Sequence, residues 1–219
     1  MARIKVWDLP LRVFHWALVA CVIGSFVTQS IGGNAMEWHG RCGLTVLGLV
    51  TFRLVWGFVG PTTARFASFL RGPAVIRDYL QGRWHGIGHN PLGALSVVAL
   101  LATLLTLALT GLFANDDILF EGPLYGLVTK DLSDRITELH EGFEPVILTL
   151  VGLHLAAIAF YVRVKKQSLV RAMITGWKEG EAGETGEGAA PSAGGGPLAF
   201  LFAAAVAVAA VVAASGVWM

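Results

Sequence analysis

Five stretches of this 219-residue chain are each long and apolar enough to cross a lipid bilayer, and nothing else in the sequence limits its fold so strongly. A spanning helix needs about 20 mostly apolar residues. The runs at roughly 14–31, 40–59, 91–114, 143–163 and 197–218 meet that requirement. In hydrocarbon, backbone N–H and C=O groups find no water, so a spanning segment must pair them internally, as a helix does. Composition agrees: only 14% of the residues are charged, where soluble domains carry about 25%. The expected fold class is an all-α integral membrane protein. A four-helix transmembrane bundle (1–178) is followed by a flexible Gly/Ala/Glu-rich linker (179–196) and a fifth transmembrane helix (197–219). The first run lacks the apolar core and A-x-A site of a cleaved leader, so it is expected to stay.

Lysine and arginine placement sets the orientation. Arg3, Lys5 and Arg12 precede the first run, and Arg65, Arg71, Arg77 and Arg83 lie between the second and third. Arg163, Lys165, Lys166, Arg171 and Lys178 follow the fourth, while the opposite side holds Arg41, Lys130 and Arg135. By the positive-inside rule the N-terminus faces the cytoplasm and the C-terminus the periplasm of a bacterial inner membrane. The connection containing "ARFASFLRGPAVIRDYLQGRW" is amphipathic and suits the cytoplasmic surface. A net charge of +1 without a basic stripe excludes a nucleic-acid partner. Cys21 and Cys42 form no CxxC or CxxCH, which argues against a zinc ribbon or a covalently attached haem.

Imidazoles inside such apolar segments need a reason. His15 lies toward the cytoplasmic end of the first helix and His39 at the outer end of the second. On the fourth run, His140 lies near the outer surface and His154 about 21 Å deeper, at about 1.5 Å per residue. Fourteen residues return a helix to nearly the same face, and Pro145 between the two histidines is a candidate kink. The four histidines thus resolve into two depth-matched pairs, His15 with His154 and His39 with His140. Such pairs suit two haem irons clamped between helices; the alternative is interhelical hydrogen bonding. Zinc fits less well, because it needs three or four ligands together, and "HEGFE" is not HExxH. His85 and His89, in "WHGIGHNPLG", have no depth partner and suit a surface or turn role.

The residues also carry a resemblance. "VWDLPLRVFHW", "WHGRCGLTVLGLVTFRLVWGFVGP", "ARFASFL", "GHNPLGALSVVALLATLLTLALTGLF" and "LHEGFEPVILTLVGLHLAAIAFYV" together resemble the bacterial cytochrome b561 family, which includes the haem b subunits of membrane nickel–iron hydrogenases. The resemblance runs from about residue 6 to 178 and leaves out the fifth helix. It implies a four-helix bundle holding two b-type haems through paired histidines and exchanging electrons with quinone or quinol. It also implies that His15 and His154 hold the cytoplasmic-side haem, and His39 and His140 the outer one. "GHNPLG" belongs to the family pattern and is a candidate border of a quinone site.

Further cofactor-binding candidates are Arg53, Arg12, Arg41 and Gly43. Arg53 lies fourteen residues beyond His39, either pairing with a haem propionate or reaching the inner headgroups. Arg12 and Arg41 sit beside His15 and His39 and are similar candidates. Gly43, one turn after His39, either makes room for a porphyrin or allows close helix packing. Residues 115–144 hold eight acids against two bases, a field suited to steering a basic c-type cytochrome, unless outer loops simply lack basic residues. The fifth helix has small-xxx-small spacings suited to docking on the bundle or a partner subunit, or it anchors the tail in lipid. The expected function is electron transfer between the quinone pool and a redox partner such as a periplasmic cytochrome c. Alternatives are a b-type anchor subunit of a hydrogenase-like complex, or a non-redox membrane packing or assembly protein.

Overall fold

The computed structural model describes residues 2–83, 90–180 and 194–217. In chain order the elements are β1 (Ala2–Lys5), α1 (Leu9–Ile31), α2 (Met36–Val59), the short α3 (Phe66–Phe69) and α4 (Pro73–Leu80), α5 (Pro91–Gly111), α6 (Lys130–Gly142), α7 (Glu144–Arg163), α8 (Leu169–Thr175), β2 (Trp177–Gly180) and α9 (Pro197–Ala214). Five crossings are long and apolar enough to span a membrane: α1, α2, α5, the run containing α7, and α9. The chain is a multi-pass membrane protein.

Local chemistry fixes where the helices start. The Asp8 carboxylate accepts from the Leu11 N–H at 2.8 Å and caps α1, and Asn90 caps α5 through the Gly93 N–H at 2.7 Å. A side-chain oxygen there satisfies one of the four N–H groups a helix start leaves unpaired. Because of Asp8 and Pro10, α1 begins at Leu9, several residues before its apolar run. Prolines occupy the first turn of α1, α5, α7 and α9, where their missing N–H is no loss.

The fourth crossing departs from the sequence expectation. Pro145 does not kink one helix carrying both His140 and His154. The chain breaks at Phe143, so that α6 ends at Gly142 and α7 starts at Glu144 with Pro145 in its first turn. Proline removes an N–H and crowds the preceding turn, so it opens a helix more easily than it continues one. His140 therefore sits in the last turn of α6, a helix the acidic connection was not expected to contain, and His154 alone lies on the spanning helix.

Packing centres on α2, which contacts α1, α5 and α9. The core between α1, α2, α5 and α7 is built from Leu11, Phe14, Val50, Leu104 and Ile147, with Val50 fully enclosed. The fifth helix docks on the bundle. It starts beside the end of α2, where Gly194 and Gly195 approach Arg65 and Pro61, and runs back along it. Ala203 and Ala207 are buried there, and Phe200 meets Phe52 and Trp56 edge-on at 5.8 and 6.2 Å.

The two ends differ. At one end, rich in arginine and lysine, β1 and β2 form an antiparallel pair with Lys5 opposite Trp177; Glu179 and Gly180, expected to begin the linker, complete β2. Residues 181–193 of that linker lie outside the described residues. Here α8 is fastened to α1: Arg12 donates to the Ile174 carbonyl, and the Trp16 indole to that of Met173 at 3.4 Å. Gly176 closes α8 at φ +87°, and a Cβ there would meet the Trp7 carbonyl oxygen at 2.7 Å. The amphipathic connection expected before α5 forms α3 and α4 at this end.

The opposite end is acidic. Asp116 accepts from the N–H groups of Ile118, Leu119 and Phe120 at 3.0, 2.8 and 2.8 Å. Slight burial acts to raise the Asp116 carboxyl pKa, but these donors outweigh it and hold it below its ordinary value. A polar seam joins α6 to the end of α5. Ser133, fully buried, donates to the Phe113 carbonyl at 2.6 Å, and the Asn115 amide donates to Ser133 at 2.7 Å.

Docking of α9 needs the bare backbone at Gly48, where an added Cβ would stand 2.7 Å from Val211 Cγ2. Gly48→Val is expected to lower stability by about 1–3 kcal/mol, the usual effect of overpacking. Thermal unfolding in detergent, compared with a chain ending before α9, measures it; equal stability of Gly48→Val and the parent would contradict the packing.

Candidate functional site

The structure brings His39 and His140 together. His39 lies in the first turn of α2 and His140 in the last turn of α6, at the acidic end. Their ring centres are 6.1 Å apart and the planes 78° from each other. Each ring is held by one nitrogen. His39 Nδ1 lies 3.0 Å from the Ser25 carbonyl oxygen, which can only accept, so that nitrogen carries the proton. His140 Nδ1 lies 3.0 Å from Thr110 Oγ1, whose own hydrogen goes to the Thr106 carbonyl at 2.8 Å; here too Nδ1 is the donor. Both Nε2 atoms then keep their lone pairs, the state in which imidazole binds metal, with the second nitrogen fixing tautomer and orientation.

Glycines make the room. A Cβ on Gly111 would stand 3.2 Å from His140 Cε1, whereas one on Gly43 would meet nothing within 4 Å. Gly43, Ala108, His39 and His140 line two adjoining cavities of about 90 and 140 Å³, to which α1, α2, α5 and α6 contribute. Small side chains opposite two tethered imidazoles suit a flat ligand more than another side chain.

His15 and His154 lie toward the basic end, on α1 and α7. The His15 ring stands edge-on to Trp16 at 5.0 Å, and its Nδ1 is buried without a hydrogen-bond partner among the described residues. Arg53 is 2% exposed and does not reach the surface. Its guanidinium lies over the Phe66 ring at 4.7 Å, within the field of Asp8, and its Nη1 makes no hydrogen bond among the described residues. Arg12 Nε is likewise buried without a partner, although its Nη1 holds α8. Arg41 is engaged elsewhere: it pairs with Glu37 at 2.5 Å on the surface and lies over Trp38. His85 and His89 lie outside the described residues.

His39 and His140, with ring centres 6.1 Å apart and each Nε2 left to accept, are the residues that would hold the metal of a flat tetrapyrrole at this end. The unpartnered donors on Arg12 and Arg53 suit anionic groups on such a ligand. Among the described residues, no three or more metal-ligating side chains converge.

Sequence reasoning missed Ser25, Thr110, Gly111 and the Asn115–Ser133 seam. Thr110 was the most legible of them, a hydroxyl in an apolar run. The Ser25 contact is a backbone carbonyl and leaves no sequence signal. A family model described as prokaryotic cytochrome b561 matches residues 6–176, ending just before β2 and leaving out α9. No curated protein and no solved structure matches the chain.

Thr110→Val keeps the side-chain shape but removes the hydroxyl acceptor at His140 Nδ1, leaving the Leu107 carbonyl beside the ring. Loss of such a supporting partner is expected to weaken ligation by His140 about 10–100-fold, seen as faster loss of bound haem on dilution in detergent. Thr110→Ser should retain it; equal retention by the valine variant would contradict the assignment of the proton.

Proposed function

The chain belongs to the prokaryotic cytochrome b561 family, and from that premise we propose that this membrane b-type cytochrome holds two b haems and passes electrons between the quinone pool and an extracytoplasmic partner. The observation that carries the reading is the His39–His140 pair, with ring centres at 6.1 Å and both Nδ1 atoms tethered. In this reading His39 and His140 ligate the haem at the acidic end, and His15 and His154 the haem at the basic end. The bound haem supplies reversible one-electron chemistry at iron.

The residues do the rest. Ser25 and Thr110 hold their imidazoles in one tautomer, so the ligands are in place before binding and need little reorganisation. Gly43 and Ala108 leave the space a flat macrocycle fills. Arg53, enclosed by Phe66 and Phe69, offers a fixed cation for a propionate in a low-dielectric setting, with Arg12 as a second donor. Arg41, committed to Glu37, is left at most a secondary role.

The positive-inside rule puts the basic end in the cytoplasm and the acidic end in the periplasm of an inner membrane. Eight acids among residues 115–144 then face the periplasm, a surface complementary to a basic electron carrier such as a c-type cytochrome.

Haem content tests the reading. The pyridine haemochrome of the purified protein should give two b haems per chain. His39→Ala and His154→Ala should each retain one. A preparation without haem, or loss of the same single haem from both variants, would overturn the proposal.

A further inference from the structure

Both cavities beside His39 and His140 are lined by carboxylates and by no fixed cation. Glu141 and Glu144 face the first, and Asp116 and Glu141 the second; neither cavity has a lysine or arginine among its described lining residues. The bases of that end are engaged with other acids. Lys130 bridges Asp117 and Asp134, Arg135 pairs with Asp131, and Arg41 pairs with Glu37.

Asp116 is held by backbone N–H groups of its own loop, whereas Glu144 is held by a side chain of the bundle. Gln29, from the outer half of α1, donates to its Oε2 at 3.1 Å. It also occupies the first turn of α7, where the helix dipole favours a negative charge. The His15 end is different in kind: Arg53 is buried there with one nearby acid, Asp8, and Arg12 flanks the ligand.

We propose that Glu144 is a potential-setting residue: its carboxylate, fixed by Gln29, holds the haem between His39 and His140 at a lower reduction potential than the haem between His15 and His154. The inference rests on the two-haem reading above. Reducing a bis-imidazole haem adds one electron and no compensating cation, so the iron–porphyrin unit goes from a net positive core to a neutral one. A fixed anion nearby stabilises the oxidised form. A fixed cation such as Arg53 does the opposite at the other end. An electron delivered at the acidic end therefore runs downhill toward the basic end, which gives the stack a preferred direction.

The test is an optical redox titration of the purified haem-loaded protein. The acidic-end component is identified as the one missing from His39→Ala, or as the one perturbed in Thr110→Val should the alanine variant not fold. In the parent protein this component is expected to be the lower of the two. Glu144→Gln, which can still accept from Gln29, should raise it by about tenfold in the one-electron equilibrium, about 59 mV. Glu144→Lys should raise it further, and Glu144→Asp, which keeps the charge, should leave it in place. The other component should not move. A higher parent potential at the acidic end, equal shifts in Glu144→Gln and Glu144→Asp, or no shift in either glutamine or lysine variant would overturn the inference. A parent protein that binds no haem would fail the two-haem reading itself.

Discussion

An imidazole N–H inside a bilayer has no water to turn to, and where it finds a protein acceptor decides what the other nitrogen can do. The Ser25 carbonyl takes the proton of His39, and Thr110 that of His140. The Ser25 carbonyl, inside α1, also accepts from Thr28 Oγ1 at 3.1 Å, and takes the His39 N–H as an additional donor. Thr110 is available because its own hydrogen is spent within α5. These two contacts convert polar residues that would otherwise be expensive in the membrane into two oriented imidazoles, each with Nε2 left to accept. The site's chemistry follows from that orientation.

The orientation in turn depends on a helix that does not cross the membrane. α6 is polar, carries His140 in its last turn, and is held to the end of α5 by Asn115 and Ser133. Gly122 lets the intervening loop fold back, since a Cβ there would stand 2.5 Å from the carbonyl oxygens of Gly111 and Leu112. The loop, the seam and the Gly111 notch all serve to set one ring against α5. A conserved-looking apolar pattern is not needed for this; a few short polar side chains at the interface suffice, because each buried hydrogen bond there has no competing solvent.

Much of this was readable from the sequence, and the misses have physical causes. The five crossings were legible because apolar length is a direct signature of a span, although α1 starts earlier than its apolar run, at Leu9 behind the Asp8 cap, and α2 starts earlier too, at Met36. The bringing together of His39 and His140 followed from depth, which survives a change of helix. Their assignment to helices did not survive, because Pro145 signals a kink or a start equally well. β1 and β2 were invisible, since four-residue strands far apart in sequence have no periodicity to detect. The small-residue spacing of α9 left docking on the bundle, docking on a partner and anchoring in lipid all open, and its partner face on α2 was not legible, because Gly48 reads like any membrane glycine.

The placement of His154 follows a different logic from that of His39 and His140. α7 buries little of itself: Ile147 is its one buried residue among those described, and α2, the centre of the packing, is engaged with α1, α5 and α9 instead. The ends of α7 are what fix it relative to α1. Gln29 grips Glu144 at one end. At the other, α8 continues the chain from α7 and is bound by Arg12 and Trp16, the residues flanking His15. A helix clamped at both ends and sparsely packed between them can take a wide flat ligand along its inner face without first giving up side-chain contacts. Dense knobs-into-holes packing along α7 would have to be broken for the same purpose. Packing is thus concentrated between α1, α2 and α9, and the α7 side, which carries His154, is left adaptable.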